Sequence, residues 1–217
     1  NILTVEDPIE YTLAGIGQTQ VNSKAGYTFA SGLRSILRQD PDIVMVGEIR
    51  DSETASIAIQ ASLTGHLVLS TIHTNSAIGA IARLRDMGVE SYLLASSIKV
   101  VLAQRLVRRL CNHCKKPSSE NVNLLKKFNL CSESIYYEPS GCQHCSFTGY
   151  SGRLAIAELV EVDENLKQMI HDEASEKMMN DYAFQNNQSI QESIKLNLEN
   201  GITSISEIVR LQNISDA

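Results

Sequence analysis

The 217-residue sequence predicts an α/β fold: an open, mainly parallel sheet with helices on both faces, carrying a cysteine-rich element. Three observations carry that prediction. Short aliphatic runs, Ile2–Val5, Ile43–Val46 and the strand within His66–Asn75, alternate with longer stretches of helical spacing, and strand–helix–strand order implies a parallel sheet with crossover helices. These runs change abruptly into charged or polar residues, as strands buried on both faces do at the carboxyl edge of such a sheet, where ligands of open α/β folds bind. Finally, two Cys-x-x-Cys pairs, 111–114 and 142–145, are separated by 27 residues.

Length and composition set the frame. A chain of 217 residues exceeds one average domain, so a full domain with a smaller appended unit is expected. A hydrophobic fraction of 43% is enough for a sizeable core, and no apolar run approaches the length that spans a bilayer. No charged-then-apolar leader is present, so nothing suggests secretion. The net charge of −6 is uneven: residues 1–110 carry ten basic and ten acidic side chains, residues 111–217 nine and fifteen. That balance argues against a nucleic-acid partner, although Arg105, Arg108, Arg109, Lys115 and Lys116 form a local basic cluster.

In chain order, the strand Ile2–Val5 is stopped by Glu6-Asp7-Pro8, because proline cannot continue a central ladder. Glu6, Asp7 and Glu10 crowd its end. Gathered carboxylates raise one another's pKa unless a cation or donor relieves them, which suits a general base beside a metal–phosphate site; a solvated turn has the same composition. Ile16–Val21 alternates between glycines and reads as a hairpin strand. Thr28 caps a helix with Leu33 and Ile36 on one face and Arg34 and Arg38 on the other, two arginines placed to bind phosphate, to meet a neighbouring subunit, or to form an ordinary exposed face.

Asp40-Pro41 ends that helix and leads into Ile43–Val46, followed by Gly47-Glu48-Ile49-Arg50-Asp51. Glu48 is expected at the sheet edge, a position that in nucleotide hydrolases holds Mg²⁺ or orients the attacking water. Asp51 to Leu63 reads as a helix stopped by Thr64-Gly65. The strand after it has His66 before it and His73 at its downstream tip, in a Thr-His-Thr-Asn cluster whose Asn75 is expected to cap the next helix. Imidazole donates to phosphate oxygen near neutral pH, so His73 is a candidate γ-phosphate sensor. Helices are expected over Ser76–Met87 and Ser91–Leu110, a strand or strand pair over Leu154–Val162, and a mostly helical remainder with a stop and new cap at Gly201–Ser204.

The cysteine pairs suit a tetrahedral Zn²⁺ held by the thiolates of Cys111, Cys114, Cys142 and Cys145, with His113 or His144 as alternative ligands. A redox reading would need only one such pair. The interval is long for a zinc ribbon, so an inserted segment, including an amphipathic stretch Val122–Leu130, is expected to loop out; Cys131 reads as a plain thiol. The expected division is 1–110 for the core, 111–150 for the tetracysteine element and 151–217 for remaining core strands and a helical extension.

Four blocks then coincide: Thr-Val-Glu-Asp-Pro-Ile-Glu at 4–10, Arg-Gln-Asp-Pro-Asp-Ile-Val-Met-Val-Gly-Glu-Ile-Arg-Asp at 38–51, Thr-Gly-His-Leu-Val-Leu-Ser-Thr-Ile-His-Thr-Asn at 64–75 and Ala-Gln-Arg-Leu-Val-Arg-Arg-Leu-Cys at 103–111. This resembles the secretion and pilus-assembly ATPases, a RecA-like P-loop family, and the first three blocks look like its Asp box, Walker B and His box. Gly-Ile-Gly-Gln-Thr-Gln-Val-Asn at 15–22 is more similar to the type II secretion branch than to its type IV pilus relative. The resemblance implies Glu48 as the Walker B acid, Glu6 and Glu10 as Asp-box base or metal-shell candidates, and His73, with His66, near the phosphates. It places Asp7, Gly47, Arg50 and Asp51 beside the nucleotide and Mg²⁺. It further implies a hexameric, cytoplasmic ATP hydrolase peripheral to the bacterial inner membrane, coupling hydrolysis to domain rotation and partnered by an inner-membrane platform protein and a membrane-linked cytoplasmic domain. A four-cysteine structural zinc element and a helical C-terminal cap belong to the same pattern. One element is missing: Gly-x-x-x-x-Gly-Lys-Ser/Thr occurs nowhere in the 217 residues, so the chain by itself is expected neither to bind ATP tightly nor to hydrolyse it. A zinc-stabilised binding module without activity is the reading from another class.

Overall fold

Burial on both faces of short β-branched runs fixes the strands, and side-chain caps fix where the helices begin. The computed structural model describes residues 1–118, 130–131, 134–185 and 187–215, with the side chains of 212–215 excepted. The chain divides into two compact units, residues 1–101 with 161–183 and residues 102–160 with 184–217. Of the amphipathic stretch expected at 122–130, positions 122–129 lie outside the described residues.

The first unit is built on a four-stranded sheet of β1 (Ile2–Glu6), β2 (Gly17–Gln20), β3 (Ile43–Val46) and β4 (Leu67–Ser70), in the order β2-β1-β3-β4. Every pairing is parallel. Val5 pairs with Val46 and Val46 with Ser70, so β1, β3 and β4 end level with one another. Val5, Val44 and Val46 are fully buried, as expected for central strands.

Helix α1 (Phe29–Ile36) starts at a capping box between Thr28 and Ser31 and buries Leu33 and Ile36. Helix α2 (Ser52–Leu63) is capped by Asp51. Helix α3 (Ala77–Asp86) follows, then α4 (Ser91–Ser97), and the unit is completed by α5 (Glu164–His171) and α6 (Glu176–Ala183). Leu33, Ile78 and Leu94 are fully enclosed, and each such side chain contributes about 1.5–3 kcal/mol by leaving water.

Three expectations are corrected. The segment at 16–21 does not form a hairpin: β2 runs parallel to β1 through a connection over residues 7–16. The single helix expected over Ser91–Leu110 is a short helix followed by β5 (Val100–Leu110). Ile98-Lys99-Val100-Val101-Leu102 fits either period, and the β-branched pair breaks the helix in favour of a strand that buries Ala103 and Val107. Helix α3 is capped by Ser76, whose Oγ accepts from Gly79 N–H at 3.0 Å, and not by Asn75.

Strand β5 pairs with β8 (Tyr150–Glu161) in a two-stranded sheet. In the second unit β6 (Lys116–Pro117) and β7 (Tyr137–Glu138) pair antiparallel, and α7 (Ile190–Glu199) and α8 (Ile205–Ser215) follow. Val107, Ile156, Leu198, Ile205 and Ile208 form its core together with Leu130 and Tyr136. Inside lies a fully buried carboxylate, Glu207, which receives the Arg108 backbone N–H at 3.1 Å and side-chain donors from Arg108 at 2.7 Å and Arg210 at 2.8 Å. Arg108 also stacks over the Tyr150 ring at 4.0 Å. Burial pushes the Glu207 pKa up, but the donors from Arg210 and Arg108 outweigh it and hold the group at about 2.

The ordinary value of 4.5 lies above this folded one, so Glu207 stabilises the fold fully above pH 4.5, and that contribution is lost as pH falls toward 2. Glu207→Gln is expected to cost about 3–5 kcal/mol at pH 7, because two arginines lose their buried partner. Urea unfolding across pH 7 to 3 checks both points: the variant should lose part of the wild-type chain's stability loss in acid.

Candidate functional site

The level ends of β1, β3 and β4 bring three polar segments to one carboxyl edge. Pairing continues past the strands. Gly47 N–H donates to Val5 O at 2.8 Å, Ile49 N–H donates to Thr71 O at 3.0 Å, and the Thr71 hydroxyl donates to Gly47 O at 2.6 Å. These bonds clamp the backbone on both sides of Glu48. Space at Gly47 is tight: a Cβ there would meet the Phe29 ring and Val5 O at 3.3 Å and the Glu6 backbone at 3.4 Å, so a larger residue would need its neighbours to give by a few tenths of an ångström.

Glu48 is buried, with 8% of its surface exposed, and each oxygen has its own partner. Oε1 accepts from Arg50 at 2.6 Å and Oε2 from His73 Nε2 at 3.1 Å, which requires the proton on that ring nitrogen. The Arg50 hydrogen bond is the main reason its carboxyl lies below the usual range; the charge of Arg50 and the bond from His73 add to it, against the opposing effect of burial. Arg50 in turn is held more firmly protonated, chiefly by Glu48 and to a smaller degree by the charge of Asp7.

Glu6 stands at the end of β1, and its Oε1 accepts from Thr4 Oγ1 at 2.5 Å and Gln18 Nε2 at 2.9 Å. Thr4, Gln18 and Thr71 were missed by reading the sequence, yet their signal is period two: Thr4 precedes Glu6 by two residues on β1, and Gln18 pairs with Thr4 in the ladder. Asp7 and Glu10 are exposed in the connection that follows β1.

Other candidates are placed elsewhere. His66 precedes β4 and so lies at the amino edge of the sheet, its Nδ1 against Ala61 O at 3.0 Å, and strand direction separates it from the edge that carries Glu48. Asp51 uses both oxygens as a cap, on Thr54 N–H at 2.8 Å and the Thr54 hydroxyl at 3.0 Å. Arg34 pairs with Glu53 of α2 at 2.6 Å, and Arg38 is exposed just after α1.

The second centre lies in the second unit. The Sγ atoms of Cys111, Cys114, Cys142 and Cys145 all lie within 4.8 Å of one another. Cys111–Cys142 measures 3.9 Å, and Cys114–Cys145 and Cys142–Cys145 both 3.8 Å. Four thiolates about 2.3 Å from a tetrahedral ion would be separated by about 3.8 Å, so the donor set fits one metal ion. All five cysteines are free thiols, and Cys131 is exposed outside the group.

Backbone N–H groups complete the cradle. Cys142 and Gly149 each donate to Cys145 Sγ at 3.2 Å. Burial pushes the Cys145 thiol up, but these donors outweigh it and hold it at about 6, which favours the thiolate a metal requires. Gly149 has φ +77°, and a Cβ there would lie 2.3 Å from Pro139 Cβ, so no larger residue lets this amide approach the sulfur. His113 and His144 stack on each other, ring centroids 4.1 Å apart, exposed and outside the thiol group.

One equivalent of Co²⁺ is expected to produce the thiolate-to-metal charge-transfer band of a tetrahedral all-sulfur site. Cys142→Ala should weaken binding at least tenfold, because such sites are closed by their fourth ligand. A titration giving identical spectra for both chains would show that the thiols are not the ligands.

Comparison with known proteins places both centres in one family. Residues 1–210 match the family described as Type II/IV secretion system protein. The chain is 52% identical over 219 residues to Type II secretion system protein E of Klebsiella pneumoniae, covering all of this chain and 44% of that protein. It is 54% identical to Type II secretion system ATPase E of Vibrio cholerae serotype O1, covering 97% of this chain and 42% of that protein. The chain therefore spans less than half the length of these relatives. Among solved structures, the pilus retraction motor PilT with bound ADP matches with a TM-score of 0.69 at 25% identity, over 96% of this chain and 51% of that one. The Legionella pneumophila ATPase DotB matches with 0.66 at 24% identity, over all of this chain and 52% of that one, a likeness of fold. The fold is thus that of the RecA-like P-loop ATPases, and the chain belongs to the Type II/IV secretion system protein family.

Proposed function

We propose that this chain is the C-terminal part of a hexameric cytoplasmic ATPase, peripheral to the inner membrane, that powers type II secretion by coupling ATP hydrolysis to domain rotation and pseudopilus assembly. The observation that carries the reading is Glu48, a buried carboxylate at the carboxyl edge of the sheet, clamped by backbone bonds from both neighbours and bonded to Arg50 and His73. Relatives of at least 50% identity that carry the type II secretion name support it. The inner-membrane platform protein and membrane-linked cytoplasmic domain are partners on the same ground, and no helix among the described residues is long and apolar enough to cross a membrane.

Each residue has a part in this reading. Glu48 would hold Mg²⁺, a cation that is bound through one or two carboxylates together with substrate phosphates and water. The bound Mg–ATP supplies the scissile γ-phosphoryl group, and the protein supplies position and charge. His73 bonds Glu48 through Nε2, and in this reading it acts beside the γ-phosphate as a hydrogen-bond donor. Glu6, at the end of the adjacent strand, accepts a proton from the attacking water. Arg50 neutralises Glu48 between turnovers, while Asp7, Glu10 and Gly47 shape the same edge; Arg34 and Arg38 face a neighbouring subunit. The four-cysteine centre holds zinc with no open ligand position, so its role is to join Cys111–Cys114 to Cys142–Cys145 and stabilise the fold. By chemistry the chain divides into a nucleotide part over 1–110, the zinc element over 111–150 and the remaining strands with the helical extension over 151–217.

Glu48→Gln in the full-length protein is expected to lower ATP hydrolysis by about 10²–10³-fold, the usual loss when charge stabilisation is removed from such a site, while nucleotide still binds. An unchanged rate would favour the zinc-stabilised binding module instead. The 217-residue chain alone lacks the Gly-x-x-x-x-Gly-Lys-Ser/Thr loop, and calorimetry with it is expected to show no micromolar ATP affinity.

A further inference from the structure

The Gly-Ile-Gly-Gln-Thr-Gln-Val-Asn segment at 15–22 resembles the type II branch more than its pilus relative, and the roles assigned above leave it unused. In the fold its middle is β2, the outer neighbour of β1, with Gln18 directly beside Thr4. The Gln18 side chain is fully committed. Its oxygen accepts from Leu13 N–H at 2.7 Å, and its nitrogen donates to Tyr11 O at 2.9 Å and to Glu6 Oε1 at 2.9 Å. The partners fix the amide's orientation: turned over, its NH₂ would face the Leu13 N–H and its oxygen two acceptors. Gln20, two residues on, accepts from Ile9 N–H at 3.3 Å, so one face of β2 pins the connection that carries Asp7 and Glu10.

The consequence falls on Glu6. Both donors, Thr4 Oγ1 at 2.5 Å and Gln18 Nε2, reach the same oxygen, Oε1, and among the described residues Oε2 has no hydrogen-bond partner. Glu48 differs: both of its oxygens are taken, one by an arginine and one by a histidine. A carboxylate anchored through one oxygen by neutral donors keeps the other directed and available, as a proton acceptor must be. A carboxylate held by an arginine on one oxygen and a histidine N–H on the other is a weaker base and a better fixed charge.

We propose that Gln18 is a positioning residue, which together with Thr4 anchors Glu6 through one oxygen, aims the other at the attacking water, and ties the 9–13 connection to that aim. The proposal rests on the ATPase reading and deepens it. Gln18 touches neither nucleotide nor metal in it; it acts through Glu6.

The test uses the full-length protein with Gln18→Leu, which keeps the bulk and removes three hydrogen bonds, and Thr4→Val, which removes the other donor without touching the connection. Each is expected to lower kcat about tenfold, the scale on which loss of a positioned group shows, with KM for ATP and the affinity for a fluorescent ADP analogue within about twofold of wild type. Thr4→Ser, which restores the hydroxyl, should recover most of the rate. Gln18→Glu should be at least as slow as Gln18→Leu, since it sets a second carboxylate against Glu6. Wild-type kcat in both Gln18→Leu and Thr4→Val would overturn the proposal. So would a kcat loss matched by equal losses in ADP-analogue affinity and melting temperature, the mark of a merely structural role. Glu48→Gln keeps the two readings apart: its inactivity beside a fully active Gln18→Leu sinks this inference alone, whereas an active Glu48→Gln sinks the ATPase reading itself.

Discussion

Parallel pairing of β3 with β1 on one side and β4 on the other is the constraint on which the edge carrying Glu48 depends. Parallel strands in register end together, so whatever follows them converges on one edge. The ladder then extends beyond the strands through Gly47, Ile49 and Thr71, which makes Glu48 part of the sheet's hydrogen-bonding frame. A side chain held this way loses little further freedom when a ligand arrives, and preorganised charge of that kind is what phosphoryl transfer asks of a protein.

The two carboxylates at that edge are set in different surroundings by the same sheet. Glu48 lies in the buried centre, where an unpaired charge is expensive, and it is paired twice. Glu6 is half-buried beside the outer strand β2, where side-chain hydroxyl and amide groups from its own face serve it. Chemically identical groups acquire different properties from their neighbours.

The second unit solves a different problem. Its described core is modest, and two polar devices tie distant parts of the chain together: the Glu207 ion group joins α8 to β5, and the thiol cluster joins residues 111–114 to 142–145. Both use strong directional bonds where apolar area is limited, and both leave a costly uncompensated group if one partner is removed. The sulfur positions require neighbours as well as cysteines, since the Gly149 amide reaches Cys145 only because Gly149 has no Cβ to clash with Pro139.

Much of this was legible in the sequence because it is local. The β-branched run ahead of Gly47-Glu48, the cap at Thr28, the stop at Gly65 and the pairing of two Cys-x-x-Cys sites are short-range patterns with short-range causes. What stayed hidden depends on contacts across the fold. A period of two along Gly17–Gln20 cannot say whether the strand turns back on its neighbour or runs parallel to it, and the apolar run after Ser97 fits helix and strand equally until its partner β8 is present. His66 and His73 look alike in sequence, and strand direction alone puts one at the amino edge and the other at the site. The sequence by itself singled out the candidates for the proposed chemistry, among them Glu6, Glu48, His73 and the four cysteines. Tertiary structure decided which oxygen of each carboxylate is occupied and by whom, because hydrogen bonds between separate strands are set by register and not by chain order.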